Sequence, residues 1–247
     1  NMVRVQPKEL EAYIERMKIT ATPSSTEQHV ASGETEHRQF KIARTEQGYV
    51  LRLTGSHDFL VERITQYVNG VSPALLLQST FLGSLEGLMM LHRGAADLAA
   101  IHLMDPVTKE YNIPFIERFF IREPITSVRL ATRTQGFIVV SGNPKEITSW
   151  SDLQRKDVRF VNRQRGSGTR FLLDAHLTEQ GIFPSQLNGY EREEWSHLAT
   201  AACVARGSAD VALGIESAAR QLGLSFIPLA TEVFDLVLRW TEENKKY

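Results

Sequence analysis

Arg93-Gly-Ala-Ala-Asp-Leu-Ala99 returns later in the chain as Arg206-Gly-Ser-Ala-Asp-Val-Ala212. Each copy follows an apolar helical pattern, Leu85 to His92 and Leu198 to Ala205, and leads into a short apolar strand. The glycine of each copy falls at the C′ position of its helix, where a left-handed backbone ends the helical ladder. Upstream, each copy has a second matched element. Gly55-Ser-His-Asp58 and Gly166-Ser-Gly-Thr-Arg170 both lie between a strand and a helix. One pair of small-residue helix ends is easily matched by chance, but two pairs in the same order are not. The chain therefore reads as two strand–helix–strand units, with mostly parallel sheets and helices on their faces.

Two such halves predict an α/β fold of two lobes, each a mixed, mostly parallel sheet flanked by helices. Ligands of such sheets bind in the crevice beyond the carboxyl ends of the strands. That placement gathers Gly55 to Asp58, Ser79 to Ser84, His102 to Asp105, Gly166 to Arg170 and Gly214 to Glu216. Arg129 to Val140 reads as a long strand crossing between the lobes, and Phe234 to Leu238 as its return, so the two crossings form a hinge. The first lobe is expected at about 40–130 plus a C-terminal segment, and the second at about 137–225.

Composition narrows the functional classes. The chain has 247 residues and a formal net charge of −1, so no global field points to nucleic acid or membrane. Its one cysteine, Cys203, excludes disulfides within the chain and reads as a buried, inert thiol in an Ala-rich helix. No apolar run approaches the roughly 20 residues of a spanning helix. No secretory signal pattern opens the sequence, and Asn1 before Met2 reads as a residue left by cloning, so a cytoplasmic protein is expected. Val3 to Met17 reads as a strand and a helix whose stripe of Leu10, Tyr13, Ile14 and Met17 needs a partner. Residues 19–39 are polar and aperiodic, as in a linker.

The loop Gly166 to Arg170 has the chemistry of an anion cradle. Helix-start N–H groups, the hydroxyls of Ser167 and Thr169, and the planar fork of Arg170 all favour negative charge. An ordinary capped turn uses the same residue types, and no Gly-Lys-Ser/Thr follows at the spacing of a phosphate-binding Walker loop. The expected ligand set is Ser56, His57, Asp58, Ser84 and His102 on one side, and Ser167, Gly168, Thr169, Arg170 and Glu216 on the other. Arg170 is read either as a direct ligand contact or as a pair with Glu216 or Asp58 across the closed cleft. The hydroxyls and loop N–H groups form a neutral cage for an oxyanion. The carboxylates oppose a bare dianion and favour an organic ligand with amine or amide donors, or a pterin-like compound. No Gly-x-Ser-x-Gly elbow is present, so a hydrolase is not expected. No closely spaced histidine pair points to a metal.

Gly142-Asn-Pro-Lys-Glu-Ile-Thr-Ser-Trp-Ser-Asp-Leu153, followed by Val158 to Arg170, resembles the segment opening the second lobe of type 2 periplasmic-binding-protein-like domains. Gly83 to Gly87, Ile101 to Pro106, Tyr111 to Pro114 and Gly214 to Ala219 extend the similarity over roughly residues 50–240. The pattern is similar to that of the subgroup fused to excisionase-type helix-turn-helix regulators and to molybdopterin-biosynthesis proteins. The resemblance implies the two-lobed fold with a ligand cleft between the lobes. It also implies a sensor for an oxyanion such as molybdate or tungstate, without a cofactor. Residues 1–18 resemble the last strand and helix of an excisionase-type domain, so DNA would be bound only through a missing N-terminal part. A small ligand and a second copy of the chain are the remaining expected partners, and no membrane is. An accessory domain of molybdopterin synthesis and the receptor of an importer are the competing implications. After Leu238 the sequence departs from the pattern, which usually continues in a longer helix.

Overall fold

The computed structural model describes residues 43–45 and 48–240. The expected N-terminal strand and helix, the linker and the last residues of the tail lie outside them. The order is β1 (Ala43–Thr45), β2 (Gly48–Gly55), α1 (Phe59–Val71), β3 (Leu75–Phe81), α2 (Ser84–His92) and β4 (Leu98–Ile101). Then come α3 (Ile113–Phe119), β5 (Ile125–Val139), β6 (Phe160–Arg163), α4 (Gly168–Glu179) and β7 (Glu193–Glu194). The described chain ends with α5 (His197–Ala205), β8 (Val211–Ile215), α6 (Glu216–Gln221) and β9 (Ser225–Arg239).

The strands join in the order β1-β2-β4-β9-β5-β8-β6-β7, with β3 on the other side of β2. Within each half the pairs β2–β3, β2–β4, β6–β8 and β6–β7 are parallel. The halves are linked by β5 and β9, antiparallel partners of 15 residues each. The C-terminal part of β9 pairs with β4, and that of β5 with β8. Both crossings expected from the sequence are present. The return strand, however, begins at Ser225 rather than near Phe234. Pro228 sits beside the register break at Gln135/Gly136, so its missing N–H disrupts no regular ladder there.

The repeated motif has one mechanical role in both halves. Gly94 and Gly207 take φ of 74° and 68°. The next two N–H groups in each copy turn back to the helix, onto the Met90 carbonyl and the Cys203 carbonyl. The aspartate then ties the helix exit to β2 in the first half and to the residue before β6 in the second. Asp97 accepts the backbone N–H, Nε and Nη2 of Arg52 at 2.8, 3.0 and 2.9 Å. Asp210 accepts the same three donors of Arg159 at 2.8, 2.9 and 2.9 Å.

Helices cover both faces of the second half, which is why β6 and β8 are buried at every position. Phe137, Phe160, Val211 and Leu213 pack with Leu172 and Leu173 of α4 on one face. Ile138, Val161 and Ala212 pack with Cys203 and Val204 of α5 on the other. The first half is built likewise, with α2 and α3 over Ile101 and Leu103, and Val61 of α1 over Leu53 and Leu77.

Candidate ligand site

Ser56 after β2, Ser84 at the start of α2 and His102 after β4 form one locked chain. The Ser56 and Ser84 hydroxyls are 2.7 Å apart, and Ser84 Oγ accepts the backbone N–H of His102 at 3.0 Å. Asp58 caps α1 by accepting the Leu60 N–H at 2.7 Å, and its other oxygen pairs with Arg133 of β5. His57 sits nearer the rim, its Nε2 2.7 Å from Glu62 and its ring edge-on to Phe59 and Phe81.

On the opposing side, Ser167 caps α4 through the Arg170 N–H at 3.2 Å, and Thr169 Oγ accepts from Gln135 Nε2 at 2.9 Å. The two sides touch. Leu85 donates its N–H to the Gly166 carbonyl at 3.1 Å, and Phe115 meets Phe171 edge-on. A Cβ on Gly168 would lie 2.1 Å from the His102 carbonyl oxygen, so only glycine lets α4 start there. The lobes are thus closed on one another, with Lys109 and Glu179 paired across the seam.

Beneath the seam lies a buried polar cluster that the sequence reading missed. It is built from Arg133 and Gln135 of β5, Arg163 of β6, His197 of α5 and Glu232 of β9, around His102. Glu232 accepts from His102 Nδ1 at 2.8 Å and Gln135 Nε2 at 2.9 Å. It also forms a 2.5 Å ion pair with Arg133, although not in hydrogen-bonding geometry. Burial pushes the Glu232 carboxyl up, but Arg133 and then His102 outweigh it and hold the group at about 2. Burial drives the His102 ring below its ordinary value, more than Glu232 raises it. A neutral His102 therefore donates from Nδ1 to an ionised Glu232.

Arg163 and His197 are placed differently. Arg163 is 2% exposed; its Nε donates to Gln164 Oε1 at 3.0 Å and its Nη2 to the Trp195 carbonyl at 3.2 Å. Its Nη1 has no partner. Burial, followed by repulsion from Arg133, pulls its guanidinium down to about 9. His197 is 1% exposed, has no partner at either ring nitrogen, and lies 6.3 Å from the His102 ring. Burial and then the two arginines hold it well below its ordinary value. Gln135 Oε1 is also buried without a partner. Neither buried imidazole hydrogen-bonds a hydroxyl, so no nucleophile–base pair forms here. Among the described residues no group of three or more His, Cys, Asp or Glu side chains could hold a metal ion.

The expected pairing of Arg170 with Glu216 or Asp58 does not occur. Asp58 is taken by Arg133, and Glu216 pairs with Arg220 along α6. Arg170 instead stacks on Tyr190 at 3.9 Å and bonds Asp174, Glu193 and the Arg163 carbonyl. It borders an outer groove of about 230 Å³ with Arg165, Phe171 and Asp174. The structure thus gathers Ser56, Asp58, Ser84, His102, Ser167, Gly168 and Thr169, leaves His57 at the rim, engages the Arg170 guanidinium with Asp174, Tyr190 and Glu193, and pairs Glu216 with Arg220. Arg133 and Gln135 did carry a signal, being polar residues two apart on a crossing strand, hence on one face. His197 is the first residue of its helix, after the Ser196 cap.

Comparison with known proteins agrees with this architecture. The uncharacterized protein YvgK of Bacillus subtilis is 39% identical over 158 residues, covering 64% of this chain and 51% of that protein. The chain thus spans about half the length of that relative. A putative phosphate transporter substrate-binding protein from Clostridium perfringens, solved with phosphate, superposes with a TM-score of 0.57 at 16% identity, over 80% of this chain and 90% of that one. The CcmR regulatory domain of Synechocystis, solved with 2-PG, gives 0.57 at 12% identity, over 78% and 88%. At such identities these likenesses show the fold alone. Because the PBP superfamily domain model matches residues 66–246, most of the sequence, the chain belongs to that superfamily.

Proposed function

We propose that this chain is the ligand-binding domain of a one-component transcription regulator, and that a small anionic ligand seats between the lobes against Arg163 and His197. One observation carries the ligand assignment. Arg163 Nη1 and both nitrogens of His197 are buried and unpartnered in the same cluster. A guanidinium held from water without an opposite charge is costly, and an anion beside it removes that cost. In this reading His102, Gly168 and Thr169 border the ligand, while Ser56 and Ser84 hold the end of β4. Solved relatives of the same fold that carry phosphate and 2-PG support an anion. The regulator role, and with it a cytoplasmic setting, rests on the resemblance of residues 1–18 to an excisionase-type domain and on the regulatory domain among the structural neighbours. Molybdate and tungstate are the oxyanions that the sequence resemblance suggests.

Thermal denaturation of the whole chain with millimolar molybdate, tungstate, sulfate, phosphate and small carboxylates tests the assignment. A ligand at a hundred times its Kd stabilises the native state by about 2.7 kcal/mol. At least one of these anions is expected to raise Tm, and Arg163→Gln is expected to abolish that rise. If none raises Tm, the anion reading fails.

A further inference from the structure

Building on the anion site just described, we propose that its ligand brings a hydrogen-bond donor together with its negative charge. A monoprotonated oxyanion or a hydroxycarboxylate fits, and a proton-free dianion does not. The argument starts from Gln135, whose amide orientation is fixed by its neighbours. Its Nε2 donates to Glu232 Oε2 at 2.9 Å and to Thr169 Oγ at 2.9 Å. An ionised carboxylate only accepts, so the nitrogen of Gln135 must face it. The opposite end, Oε1, is therefore an acceptor, and it is buried without a partner in a fully buried residue. No rearrangement of the amide turns it into a donor without breaking the bond to Glu232.

His197 adds a second acceptor. A neutral imidazole carries one donor and one acceptor nitrogen, and both of its nitrogens are unpartnered. Arg163 Nη1 supplies a charged donor. With Arg133 Nε, also buried without a partner, the vacant valences comprise three donors, on Arg133, Arg163 and His197, and two acceptors, on Gln135 and His197. A ligand made only of acceptors would satisfy the donors and set its lone pairs against Gln135 Oε1 and the acceptor nitrogen of His197.

The charge count points the same way. The two carboxylates of the cluster, Asp58 and Glu232, both contact Arg133, and neither pairs with Arg163. A single negative charge answers the unpaired end of Arg163. A second adds repulsion from two carboxylates that are themselves kept from water. Sites whose buried polar groups demand a particular donor reject isosteres that lack it far more strongly than sites that merely sense size.

Isothermal titration calorimetry on the whole chain at neutral pH separates the possibilities. The donor-bearing probes are inorganic phosphate, arsenate and glycolate; the donor-free probes are sulfate, molybdate, tungstate and acetate. The expected result is that at least one donor-bearing probe binds ten-fold or more tightly than its donor-free counterpart, phosphate against sulfate or glycolate against acetate. Gln135→Met, checked for an unchanged circular dichroism spectrum, is expected to shrink that ratio below three-fold. Equal or tighter binding of the donor-free probes overturns this inference and leaves the anion site standing. Preservation of the ratio in Gln135→Met overturns the role of Oε1. Binding of none of the seven probes overturns the anion site itself.

Discussion

His102 Nδ1 lies 2.8 Å from Glu232 Oε2, and each side chain is 1% exposed. The first residue follows β4 of one lobe and the second belongs to the crossing strand β9, so this bond pins a lobe to its hinge. It also couples the seam to the buried charges. His102 is the residue against which Gly168 of the other lobe packs, and Glu232 is the residue that Arg133 and Gln135 share.

Replacing Glu232 tests that coupling. Glu232→Gln leaves Arg133 with one carboxylate and turns the His102 contact into a neutral one. Breaking a buried pair by removing one partner costs about 3 to 5 kcal/mol, and the retained amide keeps part of it. We expect a loss near the lower end, read from the midpoint of urea unfolding. A loss below about 1 kcal/mol would show that the pair contributes little to the fold.

Glu232 and His197 both make stability depend on pH, and with the same sign. Glu232 is held at about 2 in the folded chain, below its unfolded value near 4.3. Its contribution is fully present above the unfolded value and is lost as pH falls toward 2. His197 is held well below its ordinary value, so it stays neutral when folded while the unfolded chain takes up a proton below about pH 6.5. Stability should therefore fall as pH drops from 7 to 5, and His197→Asn should flatten that slope. A slope unchanged in His197→Asn would assign it to other groups.

Gly168→Ala sets two effects against each other. Alanine in the first turn of a helix is favoured over glycine by up to about 1 kcal/mol. The added Cβ, however, would lie 2.1 Å from the His102 carbonyl oxygen and 2.5 Å from its Nδ1, contacts that something must relieve. Overpacking of this kind costs about 1 to 3 kcal/mol, so a net destabilisation is expected. Relief by separation of the lobes would also enlarge the radius of gyration in small-angle X-ray scattering. A variant as stable and as compact as the parent would refute the close approach.

The fold was legible because its signals are local. In each half a C′ glycine and an aspartate three residues later clamp the helix exit to an arginine, Arg52 or Arg159, and Asp97 and Asp210 preserve that spacing. The cleft loops were legible for the same reason, since caps such as Asp58 and Ser167 sit next to the turns they close. Arg133, Arg163 and Glu232 were not. A charged residue on a strand ordinarily marks a solvent face; Arg133 and Glu232 face each other in the β5–β9 ladder, and Arg163 lies on β6 between β7 and β8, a placement that only the assembled sheet makes. Arg170 attracted attention because it follows a glycine-rich loop, but one helical turn of its own sequence supplies Asp174, and Tyr190 supplies a ring to stack on.

Arg163 distinguishes a binding group from a structural one most directly. A guanidinium that serves the fold should cost stability when removed. One kept for a ligand is a burden to the empty domain, since it is buried with one end unpaired. Arg163→Met retains much of the apolar stem and removes the charge. We expect the ligand-free variant to match or exceed the parent in urea unfolding, even though bonds to Gln164 and the Trp195 carbonyl are lost. Any anion that stabilises the parent should no longer do so. Loss of about 2 kcal/mol or more in the ligand-free state, the penalty for breaking a structural network, would instead make Arg163 part of the scaffold.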